Sequence, residues 1–164
     1  MASKEKYTVI LPTYNKRRNL PTGFSKIHSQ LGPSPLSHWE LVTVDDGSPD
    51  GTLQVAQQLQ THYTPQRIIL KPRAGKFNLG TVYVDGLKYA TGTFVIIMDA
   101  DFSHHKKFLP QMIATQKEGD HDIITGTRYA GDGDVYGWDL KKKVGFEGGE
   151  LVCGYDIKVK GLVI

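Results

Sequence analysis

The sequence predicts one α/β domain in which a mainly parallel sheet is flanked by helices. Two observations predict this class. Short runs of β-branched and apolar residues alternate along the chain with segments whose apolar residues recur at helical spacing. The length of 164 residues is also that of a single domain with a sizeable core. Because strands that are separated by helices pair in parallel, the alternation favours a parallel sheet.

The first half of the chain predicts two strands and two helices. Residues 7–11 are β-branched and apolar and end at Pro12, which is typical of a buried strand. Residues 39–44 predict a second strand, which leads into the turn-rich segment 45–52. The apolar faces of the two helices are predicted from Phe24, Ile27 and Leu31, and from Leu53, Ala56 and Leu59.

The second half continues the alternation. Strands are predicted at residues 67–70, 93–98 and 123–125. The helices between them are predicted from the spacing of Leu79, Val82, Gly86, Leu87 and Ala90, and of Phe108, Leu109, Met112 and Ile113.

Composition and charge exclude several classes of function. The 20 Lys and Arg against 17 Asp and Glu give a net charge of +3, which is too mild to indicate a nucleic-acid partner. The longest clean apolar run, 94–98, is far shorter than the ~18 residues of a membrane span, and no signal peptide is predicted at the N-terminus. The single cysteine, Cys153, cannot form an intramolecular disulfide, which favours a reducing compartment such as the cytosol.

Two carboxylates follow the predicted strand 93–98. Asp99 and Asp101 are two residues apart on an extended segment, so both side chains point to the same side, and such a pair favours a hard divalent cation. The same pattern also forms plain turns and helix caps, and both interpretations stay open. Two adjacent carboxylates at the exit of a buried strand repel each other unless a cation or a cationic neighbour neutralises them.

Other polar residues stand at strand ends in the same way. Asp45 and Asp46 begin a segment that is both a good turn and cap sequence and a candidate ligand site. Arg128 follows the predicted strand 123–125 and is a candidate for bidentate phosphate binding, with a surface salt bridge as the alternative. His104 and His105 are weaker candidates, since solvated or capping histidines are commoner.

Five motifs appear in one order along residues 6–143. They are Leu-Pro-Thr-Tyr-Asn at 11–15, Val-Asp-Asp-Gly-Ser-Pro-Asp-Gly at 44–51, Met-Asp-Ala-Asp at 98–101 with Ser-His-His at 103–105, Gly-Thr-Arg-Tyr at 126–129 and Val-Tyr-Gly-Trp-Asp-Leu at 135–140. Together they resemble the catalytic subunits of the dolichyl-phosphate mannosyltransferases, which are inverting family 2 glycosyltransferases.

The resemblance implies a GT-A fold, with a Rossmann-like, mainly parallel sheet. It implies transfer of mannose from GDP-mannose to dolichyl phosphate at the cytosolic face of the endoplasmic reticulum. The product would supply N-glycosylation, O-mannosylation and GPI-anchor synthesis, and small membrane-anchoring subunits are implied as partners. The acceptor phosphate is already anionic at neutral pH, because its second pKa is near ~6, so no strong base is required.

The resemblance also implies roles for individual residues. The guanosine end would be held by Pro12, Tyr14, Val44 and Asp46, with Lys16 at a further nucleotide-contact position. The diphosphate and a divalent cation, Mg²⁺ or Mn²⁺ with Ca²⁺ as a third candidate, would meet Asp99, Ala100 and Asp101, with Ser103 as a further metal ligand. Arg128 would contact phosphate, which makes Asp101 and Arg128 the catalytic candidates.

The sequence departs from the family pattern at three places. Lys16 replaces a glutamate, Lys142 replaces an arginine, and residues 144–164 match neither of the family segments expected there. The sequence therefore predicts a GT-A domain over 6–143 that is incomplete on its C-terminal side, followed by a divergent tail.

Two other functions remain as alternatives. A catalytically inactive, donor-binding fragment would explain the tail. A phosphohydrolase with Asp99 as the nucleophile would explain the carboxylate pair, but it gives no role to Asp46 or Tyr14.

Overall fold

A six-stranded parallel sheet forms the centre of the protein. The computed structural model describes residues 5–32, 38–63, 67–101 and 105–126, and the backbone of 162–163. The sheet order is β3-β2-β1-β4-β6-β5, and all five pairings are parallel. The strands are β1 (Tyr7–Thr13), β2 (Trp39–Asp45), β3 (Ile68–Pro72), β4 (Phe94–Ile97), β5 (Ile123–Ile124) and β6 (Leu162–Val163). The predicted α/β class with a mainly parallel sheet is confirmed.

Helices cover both faces of this sheet. They are α1 (Leu20–Leu31), α2 (Thr52–Tyr63), α3 (Leu79–Leu87) and α4 (Leu109–Gly119), with a short 3-10 helix at Lys106–Phe108. Alternate residues of the strands pack on opposite sides, as strand geometry requires. On one face Val9 packs with residues of α1, α2 and α4, whereas on the other face Ile10 packs with Val82 of α3. Burial on both faces explains why β1, β2 and β4 are rich in apolar residues.

Two of the residues whose spacing predicted helices are exposed in the structure. Leu79 is 53% exposed and Phe108 is 44% exposed. Leu79 begins α3 at the rim of a cavity rather than over the sheet. Phe108 belongs to the 3-10 helix, so it does not share the inner face that Leu109 and Ile113 form in α4. Helical spacing does not place residues correctly at the first turn, where the path of the chain changes.

The strand β6 was not predicted, because residues 144–164 were interpreted as a divergent tail. The structure inserts it between β4 and β5. The chain divides into two compact units, Met1–Ile124 with Val159–Ile164, and Thr125–Lys158. The domain boundary predicted at residue 143 lies outside the described residues and stays a prediction.

Candidate active site

A cavity of about 290 Å³ opens where β1, β2 and β4 end. The strand register creates it: Thr13 lies beside Asp45 and Ile10 lies beside Ile97, so the segments that follow these strands meet at one edge of the sheet. In parallel sheets this edge is the usual place for ligands. Seven of the predicted site residues line the cavity, namely Pro12, Tyr14, Lys16, Asp46, Asp99, Ala100 and Asp101.

The segment after β4 presents two carboxylates to this cavity. Asp99 and Asp101 both line it, while the side chain of Ala100 packs into the core between them. The hydroxyl of Tyr83 on α3 donates a hydrogen bond of 3.2 Å to Asp99 Oδ1. Burial raises the pKa of Tyr83, and the charge of Asp99 adds to the effect, so this hydroxyl remains a donor.

Two lysines lie close to the carboxylate pair. Lys16 Nζ is 3.7 Å from Asp101 Oδ2. The buried Lys106 donates from its Nζ to the backbone carbonyl of Asp99 at 3.1 Å. Burial lowers the pKa of Lys106, and the negative charges of Asp101 and Asp99 oppose this change. The repulsion expected between the carboxylates is thus reduced by cationic side chains of the protein itself.

The two aspartates after β2 have different surroundings. Asp45 is 3% exposed, and its carboxylate accepts hydrogen bonds from the Thr13 hydroxyl and from the hydroxyl and backbone N–H of Ser48, at 2.6–3.0 Å. Asp46 instead lines the cavity. Asp45 therefore acts as a turn residue, as one interpretation of this segment predicted. Asp46 is the residue of the pair that lies where a ligand could bind.

Arg73 holds Asp46 in place. Its side chain is 12% exposed, and its Nη1 donates to Asp46 Oδ1 at 2.7 Å. Its Nε pairs with Asp85 Oδ2 at 3.1 Å, and its Nη2 donates to the hydroxyl of Thr81 at 2.8 Å. The second oxygen of Asp46 accepts from the backbone N–H of Phe77 at 3.3 Å. The planar guanidinium directs its N–H donors to these acceptors in one fixed fork, which a compact ammonium does not reproduce.

Sequence reasoning missed the segment that follows β3. It contributes Lys76, Phe77 and Leu79 to the cavity lining, and Thr13 and Val82 complete the set that was not predicted. Lys76 Nζ lies 4.4 Å from the centre of the Tyr14 ring, and the Arg73 guanidinium lies 4.7 Å from that of Phe77. The cluster of Arg73 and Lys76 after a strand was the available signal, because this strand is parallel to the others and its end meets the same edge.

The remaining predicted residues are not placed at the cavity. Val44 is fully buried in the core that faces α3 and does not line the cavity. His105 is exposed, and its ring lies against that of Phe108. Four further residues lie outside the described part of the chain, and their roles stay predictions: Ser103, His104, Arg128 and Lys142.

The described residues hold no cluster of three or more His, Cys, Asp or Glu side chains that could bind a metal ion. Asp99 and Asp101 nevertheless fit a magnesium-type ion. Such ions are commonly bound through one or two carboxylates while substrate phosphates and water complete the oxygen shell. The donor set therefore fits a cation that arrives with a phosphorylated ligand rather than one enclosed by protein.

Comparison with known proteins identifies the family. The family model described as "Glycosyl transferase family 2" matches residues 8–160. The chain belongs to glycosyltransferase family 2. Family 2 relatives include the dolichol-phosphate mannosyltransferase of Pyrococcus furiosus, 37% identical over 90% of this chain and 40% of the relative. The polyprenol monophosphomannose synthase of Mycolicibacterium smegmatis is 36% identical over 83% of this chain and 50% of its own. The chain thus spans half or less of the length of these relatives.

Solved structures agree with the family 2 assignment at the level of the fold. The mannosyltransferase PcManGT of Pyrobaculum calidifontis, solved with GDP-Man and Mn²⁺, has a TM-score of 0.65 at 23% identity. The match covers 77% of this chain and 37% of that protein. Among the described residues of the family 2 chain, no helix has the length and apolarity needed to cross a bilayer.

Proposed function

We propose that this chain transfers mannose from GDP-mannose to dolichyl phosphate or a related polyprenyl phosphate. The observation that carries the proposal is the arrangement of Asp46, Asp99 and Asp101 around one cavity at the carboxyl ends of the strands. The identity of 37% to a dolichol-phosphate mannosyltransferase supports the choice of sugar and acceptor.

The cavity offers contacts to both the nucleoside and the diphosphate of a nucleotide sugar. Asp46, held by Arg73, offers a fixed acceptor at one end, where the guanosine would bind. Tyr14 lines the same cavity and offers an aromatic ring to the nucleoside. Asp99 and Asp101 lie at the other strand end, where the diphosphate and Mg²⁺ or Mn²⁺ would be held. When bound, the cation supplies positive charge against the leaving diphosphate.

The transfer itself is a single displacement that inverts the sugar. An oxygen of the ionised acceptor phosphate attacks the anomeric carbon of mannose. The bond from that carbon to the β-phosphate oxygen breaks, and its electron pair remains on GDP. No proton has to be removed from the nucleophile, so the protein acts by positioning and by stabilising charge on the leaving group. Lys16 and the predicted Arg128 are the cationic residues proposed for the second task.

The cellular setting is proposed from the resemblance alone. It comprises the cytosolic face of the endoplasmic reticulum, small membrane-anchoring subunits, and the supply of mannose for N-glycosylation, O-mannosylation and GPI anchors. Ser103 is kept as the proposed further metal ligand.

The deciding experiment measures transfer of labelled mannose from GDP-mannose to dolichyl phosphate with Mn²⁺. The chain is compared with Asp101→Asn, and Asp122→Asn serves as a matched control because Asp122 is exposed and away from the cavity. Turnover that is lost in Asp101→Asn and kept in the control supports the proposal. Folded protein that binds GDP-mannose without turnover would instead identify a donor-binding module.

A further inference from the structure

The loop that carries Lys16 is fixed on the loop that follows β2. Three consecutive backbone N–H groups donate to side chains of that second loop. Asn15 donates to Ser48 Oγ at 3.0 Å, Lys16 to Thr52 Oγ1 at 2.9 Å, and Arg17 to Asp50 Oδ2 at 3.2 Å. Asn15 has a φ of 53°, in the left-handed region, which turns the chain at this point.

The acceptor side of this contact is itself well ordered. Burial opposes ionisation of Asp50, but hydrogen bonds from Thr52 and Arg17 outweigh it and lower the pKa of Asp50. Asp50 Oδ1 also accepts from the Thr52 hydroxyl at 2.6 Å. The backbone of Lys16 is therefore held from both loops, and its side chain starts from a defined position at the cavity.

The ammonium of Lys16 reaches the carboxylate pair. Its Nζ lies 3.7 Å from Asp101 Oδ2, and the two side chains are 29% and 45% exposed. An ion pair this exposed is weak, so an entering anion or cation can replace either partner at little cost. Because both residues line the cavity, the exchange would take place where the diphosphate is proposed to bind.

Cationic side chains among the described residues lie close to the carboxylate pair. Asp99 and Asp101 carry two negative charges, and Lys16 and Lys106 bring two positive charges close to them. Lys106 is buried and directed at a backbone carbonyl, so it is not available to a ligand. Lys16 is the partly exposed member of the pair of lysines and the one that lines the cavity.

We propose that Lys16 is an internal cation of the donor site. It binds the diphosphate of a nucleotide in the absence of a divalent cation, and in the free protein it competes with that cation for Asp101. This inference rests on the proposed function, because it assumes a nucleoside diphosphate in the cavity. Nucleotide binding at this site would then depend less on a metal ion than it would if Asp99 and Asp101 were present without Lys16.

Calorimetric titration with GDP tests the first half of the inference. Wild type and Lys16→Gln are each titrated in EDTA and in saturating Mn²⁺. In EDTA we expect Lys16→Gln to bind GDP about tenfold more weakly, since one charge-assisted contact is lost. In Mn²⁺ the difference shrinks to about twofold, because the metal then supplies the charge. Lys16→Arg keeps the charge and restores binding in EDTA.

Binding of Mn²⁺ alone, followed by electron paramagnetic resonance, tests the second half. Lys16→Gln should bind Mn²⁺ several-fold more tightly than wild type, because the ammonium that lies 3.7 Å from Asp101 Oδ2 is removed. Lys107→Gln is the matched control. Its ammonium lies 4.9 Å from the Phe108 ring and outside the cavity, so it should change neither GDP nor Mn²⁺ affinity.

Equal affinities of wild type and Lys16→Gln for GDP in EDTA and for Mn²⁺ would overturn the inference and leave a surface ion pair only. That result keeps the proposed function if both proteins bind GDP with Mn²⁺. Failure of the proposed function has a different signature, since wild type would then bind no GDP even with Mn²⁺ present.

Discussion

Carboxylates are found at both ends of the sheet, and their surroundings differ in kind. At the amino ends of the strands, Glu40 is 3% exposed and its two oxygens accept from Lys6, from the Thr8 hydroxyl, and from both the hydroxyl and the backbone N–H of Thr91. At the carboxyl ends, Asp101 is 45% exposed and faces a cavity with one ammonium at 3.7 Å. Glu40 has both carboxylate oxygens engaged within the protein, whereas Asp101 lines the cavity at the carboxyl ends of the strands.

The difference teaches how to separate structural from functional acidic residues in this fold. Glu40 connects β1, β2 and the segment before β4, so its contacts stabilise the sheet. Asp99 and Asp101 instead line the cavity just after the end of β4. Substitutions at the two ends should therefore affect different measurements.

The largest effect is expected for Asp99→Asn. The amide keeps the shape of the side chain and can still accept from Tyr83, but it removes one negative charge from the proposed cation site. Mannosyl transfer should fall about 100-fold or more. The free energy of unfolding, measured with urea, should change by less than about 0.5 kcal/mol. A large loss of stability with unchanged turnover would instead give Asp99 a structural role like that of Glu40.

Glu40→Gln should give the opposite pattern. The neutral amide loses the ion pair with Lys6 and cannot satisfy all four donors, which we expect to lower the free energy of unfolding by about 1–3 kcal/mol. GDP affinity, measured by calorimetry on the folded variant, should equal that of wild type. Weaker GDP binding at full stability would show that the two ends of the sheet are not separable in this way.

Arg73→Lys tests whether the position of Asp46 matters. The lysine keeps the positive charge but loses the fork that binds Asp46, Asp85 and Thr81 together. We expect GDP to bind about tenfold more weakly, with Mn²⁺ affinity unchanged because Asp99 and Asp101 are not among its partners. A loss of Mn²⁺ affinity with normal GDP binding would contradict this division of roles.

The smallest effect concerns pH. Burial disfavours the charged form of Glu40, but hydrogen bonds from Lys6, Thr8 and Thr91 outweigh it and lower the pKa below its ordinary value of 4.5. A lowered pKa adds stability above the ordinary value, and this is lost as the pH falls through the folded-state value. The stability gap between wild type and Glu40→Gln should therefore be full at neutral pH and shrink in acid. Urea unfolding of both proteins at neutral and at acidic pH measures this difference in the free energy of unfolding. A difference that does not change with pH would contradict the lowered pKa of Glu40.

Much of the fold and of the cavity could be predicted because it depends on local rules. Asp99 and Asp101 come just after β4, and the parallel sheet brings them to the edge where Asp46 lies. Motifs supplied the rest of the predicted lining. Their roles in binding and transfer stay predictions.

The features that were missed depend on long-range pairing. Arg73 reaches Asp46 because Pro72 lies beside Asp45 in the β2–β3 register, and no periodicity in the sequence reveals that register. The sequence places Lys16 at a nucleotide-contact position where the family pattern has a glutamate, so its charge is opposite to that of the family residue. Lys16 lies close to Asp101 because β1 and β4 are neighbours in the sheet, and the sequence alone does not reveal this pairing.

The position of β6 has a consequence for the folding pathway. Strands β1 to β4 pair among themselves within residues 7–97, so their part of the sheet can form from contacts of moderate sequence separation. Among the described strands, β5 pairs with β6, whose residues follow it at a much greater distance along the chain. Because closing such a long loop slows folding, we expect β5 to acquire protection from hydrogen exchange later than β1.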